Sequence, residues 1–146
     1  GDYMEERNIG FEIKILSNLM KRKMENDIGS EENITRNHTY ILGFLHHERN
    51  SDIFQKDIEK EFQIRRSTAT GILNVMEKNG LIQRVPCKED ARQKKIVVTE
   101  KGKELHKKSF EQMQEFEKRL KSCLTEKELE EFFNILDKLK ICIDKN

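Results

Sequence analysis

Between Gln63 and Lys95 the sequence concentrates cations: Arg65, Arg66, Lys78, Arg84, Lys88, Arg92, Lys94 and Lys95 stand against only Glu77, Glu89 and Asp90. That stretch is net +5, and because the chain's formal charge is +1, everything outside it is net −4. The chemistry open to such a stretch is phosphate binding, since guanidinium and ammonium groups displace condensed counterions from a polyanion. Ser67, Thr68, Thr70 and Asn74 lie among these cations and add neutral hydrogen-bonding groups. Arginine can pair with guanine, and asparagine with adenine, through two hydrogen bonds each. Asp90 stands two residues before Arg92, within reach of its guanidinium.

Catalysis finds no such support. Ser67, His47 and the acidic residues form no nucleophile–base arrangement, and no phosphate-cradling glycine loop occurs, so no catalytic residue is assigned. His38, His46, His47 and His106 lack helical metal-ligand spacing, so neither a metal nor a cofactor is expected. Cys87, Cys123 and Cys142 form no CxxC pair and are odd in number, which fits a reducing cytoplasm rather than a disulfide scaffold. Cys87, beside Lys88, is the one whose surroundings favour a thiolate. No apolar run approaches the roughly 20 residues of a membrane span, and the N-terminus lacks an apolar signal core. The expectation is a cytoplasmic protein with no membrane partner.

The elements that must position the basic stretch are mostly helical. At 146 residues, with 38% charged and 35% hydrophobic side chains, one proline and no tryptophan, the chain has the size of a single domain, 1–146, built on long helices. Ile9, Ile13, Leu16, Met20 and Met24 recur at helical spacing, and Gly29 to Asn33 reads as a polar loop. A second helix starts after Thr35 and reaches about Arg49. A short helix from Gln55 to Phe62, a turn at Gln63–Ile64 and a helix from Ser67 to Lys78 make a helix-turn-helix. Asn79–Gly80 stops that last helix. Leu81–Val85 and Lys95–Thr99 then read as two strands around a polar loop, a β-hairpin wing. Thr99 caps a long helix, and Thr125–Glu128 is a capping box opening the last one. The fold class is therefore mainly α with a small β-hairpin wing. Residues 51–99 form a winged helix-turn-helix lobe, while the helices of 5–28 and 100–146 carry apolar stripes too extensive for one small core to cover. Pairing of two chains through those stripes is expected, the alternative being an intramolecular bundle.

Two segments carry a family resemblance, RRSTATGILNVMEKNGLIQR (residues 65–84) and DARQKKIVVTEKG (residues 90–102). Within the stretch Gln55 to Leu105 the chain resembles the MarR family of bacterial transcriptional regulators. The resemblance implies a homodimer that binds a pseudo-palindromic double-stranded DNA operator, a repressor released by a small molecule or other signal. The helix of 67–78 would enter the major groove with Arg65, Arg66, Ser67, Thr68, Thr70 and Asn74. Arg92, oriented by Asp90, would enter the minor groove from the wing, with Lys88, Lys94 and Lys95 on phosphates. An effector pocket would draw on Phe11, Ile15, Phe44, His47 and Phe110, which can equally be core. Two positions depart from the family: Phe54 stands where a capping Ser or Thr is common, implying a loosely held helix start, and Ala91 replaces a frequent Arg. A winged-helix module that binds a partner without sequence-specific DNA contact is the alternative, and the basic stretch and Asp90–Arg92 argue against it.

Overall fold

Thr35, Thr99 and Thr125 each begin a helix in the same way. The hydroxyl oxygen accepts an opening amide that the helix cannot satisfy itself, from His38 at 3.4 Å, Gly102 at 3.0 Å and Glu128 at 3.1 Å respectively. The computed structural model describes residues 6–28 and 35–145. Its elements are α1 (Ile9–Ile28), α2 (Arg36–His47), α3 (Gln55–Phe62), α4 (Arg66–Lys78), β1 (Ile82–Pro86), β2 (Lys94–Val98), α5 (Glu100–Ser122) and α6 (Glu126–Asp144). The loop expected at Gly29 to Asn33 lies outside the described residues. The second helix closes two residues earlier than expected, at His47.

The chain divides into two compact units, Gly1–Phe110 and Glu111–Asn146. In the first, α2 contributes Ile41, Leu42 and Leu45 to a core completed by Ile58 of α3, Leu73 and Met76 of α4, and Leu81, Ile82 and Ile96 at the wing base. Helix-turn-helix and wing therefore share one hydrophobic centre. β1 and β2 pair antiparallel with Ile82 opposite Val98 and Pro86 opposite Lys94. Ile53 extends this ladder, because its carbonyl accepts the Ile96 amide at 2.7 Å and it is itself buried in the same core.

The turn between α3 and α4 contains no glycine, and Gln63 adopts the left-handed conformation instead (φ 52°). Its amide group donates to the Lys60 carbonyl at 2.7 Å, and the Ile64 amide closes onto Glu59 at 3.1 Å, so local hydrogen bonds hold the strained residue. Phe54 does not leave α3 loosely held: the Asp57 carboxylate accepts the Phe54 amide at 2.8 Å, which secures half of a capping box without a hydroxyl. Met24 is buried near the end of α1, yet Ile9, Ile13, Leu16 and Leu19 remain exposed.

In the second unit, Thr125 and Glu128 form the expected reciprocal cap on α6. No residue of α6 is fully buried, and Phe132, Phe133, Ile135, Ile141 and Ile143 are exposed. No helix among the described residues is long and apolar enough to cross a membrane.

Candidate nucleic-acid interface

α4 presents two faces of opposite character. Ala69, Leu73 and Met76 are wholly buried, whereas Arg65, Arg66, Ser67, Thr68, Gly71 and Asn74 are exposed and Thr70 is half-exposed. Arg65 occupies the N-cap position without a side-chain cap, and the first turn holds no acidic residue. The opening amides and the positive end of the helix dipole are thus left to an outside acceptor, which is the arrangement that binds phosphate oxygens.

Polar residues further along that face are tied down from behind. The Gln55 amide nitrogen, at the start of α3, donates to the Thr70 hydroxyl oxygen at 2.8 Å and to the Arg66 carbonyl at 3.3 Å. Arg84 of β1 donates to the Asn74 side-chain oxygen and, at 2.9 Å, to Glu77. The Arg84 backbone amide also reaches Glu77, at 3.1 Å. Arg84 belongs to this internal network rather than to a phosphate-facing set. Its hydrogen bond, ahead of its charge, holds the Glu77 carboxyl below the usual glutamate range. A carboxylate with a lowered pKa contributes stability that is present above its ordinary pKa and lost as pH falls through the lowered one. The expected result is that Glu77→Gln is less stable than the parent near neutral pH, and that the two converge in acid. Denaturation at stepped pH checks this, and a gap independent of pH would contradict it.

On the wing, Asp90 accepts both the Arg92 backbone amide (3.0 Å) and its guanidinium Nε (3.3 Å). The loop is closed by Cys87 donating to the Gln93 carbonyl and Gln93 to that of Asp90. The Arg92 side chain is 93% exposed, a cation held at its base with its end projecting. Lys88 and Lys94 are exposed, while Lys95 lies 3.9 Å from Asp52.

What fixes the wing to α4 is a latch at the start of α5. Gly80, at φ 74°, turns the chain out of α4, and its carbonyl accepts the Thr99 hydroxyl. The Thr99 amide donates to Leu81 at 3.1 Å, and Lys101 reaches the Asn79 carbonyl at 2.9 Å. Gly102 lies directly on this corner, since a Cβ there would stand 2.2 Å from the Leu81 carbonyl oxygen and 2.7 Å from Val98.

Sequence reasoning did not single out Gln55, Arg84, Gly102 or Ile53 for these roles. Gln55 acts on α4 from 11 and 15 residues away and Arg84 from 10 and 7, while Ile53 and Gly102 act through contacts with distant backbone, and none of these leaves a local periodicity. Of the residues expected around an effector, Phe44 packs edge-on against Phe62 and Phe110 lies over His106. His47 pairs with Glu48, while Phe11 and Ile15 are exposed on α1. His38 is a buried capping residue whose Nδ1 accepts the Thr35 amide, and burial lowers its pKa. His106 stacks on His46 at 4.6 Å; burial first, and His46 second, lower its pKa. Among the described residues no three His, Cys, Asp or Glu side chains gather as metal ligands would.

Residues 32–93 match the model of the MarR family. The chain is also similar to solved structures. The MepR–DNA complex of Staphylococcus aureus shares 28% identity over 94% of this chain and 99% of that one, with a TM-score of 0.85. MepR of the same organism in its DNA-binding conformation shares 27% identity at a TM-score of 0.78, with 94% and 99% covered. The transcription regulator MarR of Oenococcus oeni PSU-1 shares 29% identity over 90% of this chain and 98% of that one, with a TM-score of 0.76. No curated protein matches the sequence.

Proposed function

We infer a mode of operator binding for a chain that belongs to the MarR family of winged helix-turn-helix transcription regulators. α4 enters the major groove by its uncapped, basic start. Arg65, Arg66, Ser67 and Thr68 meet phosphates and base edges there, and Thr70 and Asn74 lie deeper along the groove. Arg92 enters the adjoining minor groove, where the negative potential is enhanced, with Asp90 fixing its base. Lys88, Lys94 and Lys95 meet the flanking phosphates. The observation that carries this reading is the projecting Arg92, held by Asp90 on a wing whose base shares a core with α4.

Arg92→Ala is expected to weaken binding by about 1–3 kcal/mol with the fold unchanged. Fluorescence titration of a duplex from upstream of its own gene, at several salt concentrations, measures this. Equal affinity for both proteins at every salt concentration would reject the wing contact.

The exposed apolar residues of α1 and those of α6 support pairing with a second copy, which makes 51–99 the DNA-binding lobe and 5–28 and 100–146 the dimerising segments. Two copies then read half-sites about 10 base pairs apart. Light scattering on the eluting protein should give twice 17.4 kDa, and a monomer mass would overturn the dimer. The same reading makes the protein a cytoplasmic repressor released by a small molecule. Exposed Phe11, Ile15 and Phe110, with Phe44 and His47, are its proposed contacts.

A further inference from the structure

Two residues of the exposed α4 face have their oxygen atoms engaged from inside the protein, by two independent partners. The Gln55 amide makes two contacts, and one of them, the Arg66 carbonyl, can only accept. The contacting atom is therefore the nitrogen, and Thr70 Oγ1 must be an acceptor towards it. A guanidinium can only donate, so the atom of Asn74 facing Arg84 must be Oδ1. The Glu77 carboxylate accepts from both the Arg84 backbone amide and the guanidinium Nη2, which keeps Arg84 aimed. Each of these oxygens of Thr70 and Asn74 keeps a second lone pair, but the groups that those partners leave wholly unengaged are donors: the Thr70 hydroxyl proton and the Asn74 NH2. They stand one helical turn apart on the same face.

We propose that Gln55 and Arg84 are positioning residues that set the hydrogen-bonding polarity of the recognition helix, so that Thr70 and Asn74 read acceptor atoms in the major groove. This rests on the DNA-binding reading above. Guanine (O6, N7) and thymine (O4) present acceptors there, whereas the amino groups of cytosine and adenine present donors. The paired contact to adenine is then disfavoured for Asn74, because the adenine amino group would have to share an oxygen already engaged by Arg84. A keto base is read instead. Electrostatics points the same way, because Arg84 draws electron density from the amide and makes its NH2 the better donor.

The test is selection from a random duplex library by the full-length protein and its variants. Asn74→Ala identifies the base pair that Asn74 reads, as the position whose preference it abolishes. The parent should select guanine or thymine at that position. Asn74→Asp keeps the partner of Arg84 but presents only acceptors, and should shift the contacted base to cytosine or adenine by about tenfold or more. Arg84→Met should admit adenine at the same position, and Gln55→Met should broaden selection at the position abolished by Thr70→Val. A purely structural role for Arg84 would instead lower affinity for all sequences alike. Thermal melts establish that each variant folds; if Arg84→Met does not, Asn74→Asp decides. Adenine already preferred by the parent, no position altered by Asn74→Ala, or no shift with Asn74→Asp would overturn the inference while leaving DNA binding intact. A parent protein that enriches no sequence would overturn both.

Discussion

Replacing Leu73 with alanine is expected to lower the unfolding free energy by about 2–5 kcal/mol. Leu73 is wholly buried, on the face of α4 that lies against α3 and β1. Truncation removes its transfer free energy and leaves a cavity in the core that α4 shares with α2, α3 and the wing, whose latch hydrogen bonds oppose collapse. Against a typical total of about 5–15 kcal/mol, that is a large share. The side chain sits between Thr70 and Asn74 in sequence, so the residue that fixes the height of the helix is interleaved with those that would touch DNA. Affinity should therefore fall for every duplex, without a change in sequence preference. Urea denaturation measures the stability, and a loss under about 1 kcal/mol would show that the site collapses freely.

Gly102→Ala is expected to cost about 1–3 kcal/mol or more, although alanine is ordinarily the better helix former. The added methyl would meet the Leu81 carbonyl at 2.2 Å, and this is backbone rather than the yielding end of a side chain. The same carbonyl accepts the Thr99 amide, so moving it loosens the corner joining α4, β1 and α5. Gly71→Ala is the matched control. Nothing lies within 4 Å of its Cβ position, so the propensity gain of up to about 1 kcal/mol should appear unopposed. Thermal unfolding of the two variants side by side distinguishes a packing role from a general helix effect. If both moved in the same direction, the close approach at Gly102 would not be what fixes it.

Much of this was legible in the sequence. Threonines before helical runs, the Asn79–Gly80 stop and β-branched runs around a polar loop are local signals, and each element forms where its local signal lies. The reach of side chains was less legible. Arg84 counts as one more cation in the basic stretch, but the hairpin register brings it back over the last turns of α4, where Glu77 and Asn74 take its donors. Phe54 lacks a capping hydroxyl, yet Asp57 supplies the reciprocal bond that a search for Ser or Thr overlooks. Ile53 is a single residue between two helices, with no strand around it to show that it pairs with Ile96. The apolar stripes of α1 and α6 can be seen in the sequence, but the core they leave uncovered cannot be measured from it.

That Ile53–Ile96 bond grades the mechanical compliance of the hairpin along its length. At its base, buried Ile82 and Ile96 and the extra backbone bond make local opening nearly as costly as unfolding the lobe, so the Ile96 amide proton should exchange with solvent among the slowest. Towards Ala91 and Arg92 the side chains are exposed and only short-range bonds remain. In the binding mode proposed above, a stiff root with a yielding tip would let an arginine follow a groove of varying width while the helix beside it keeps its footing.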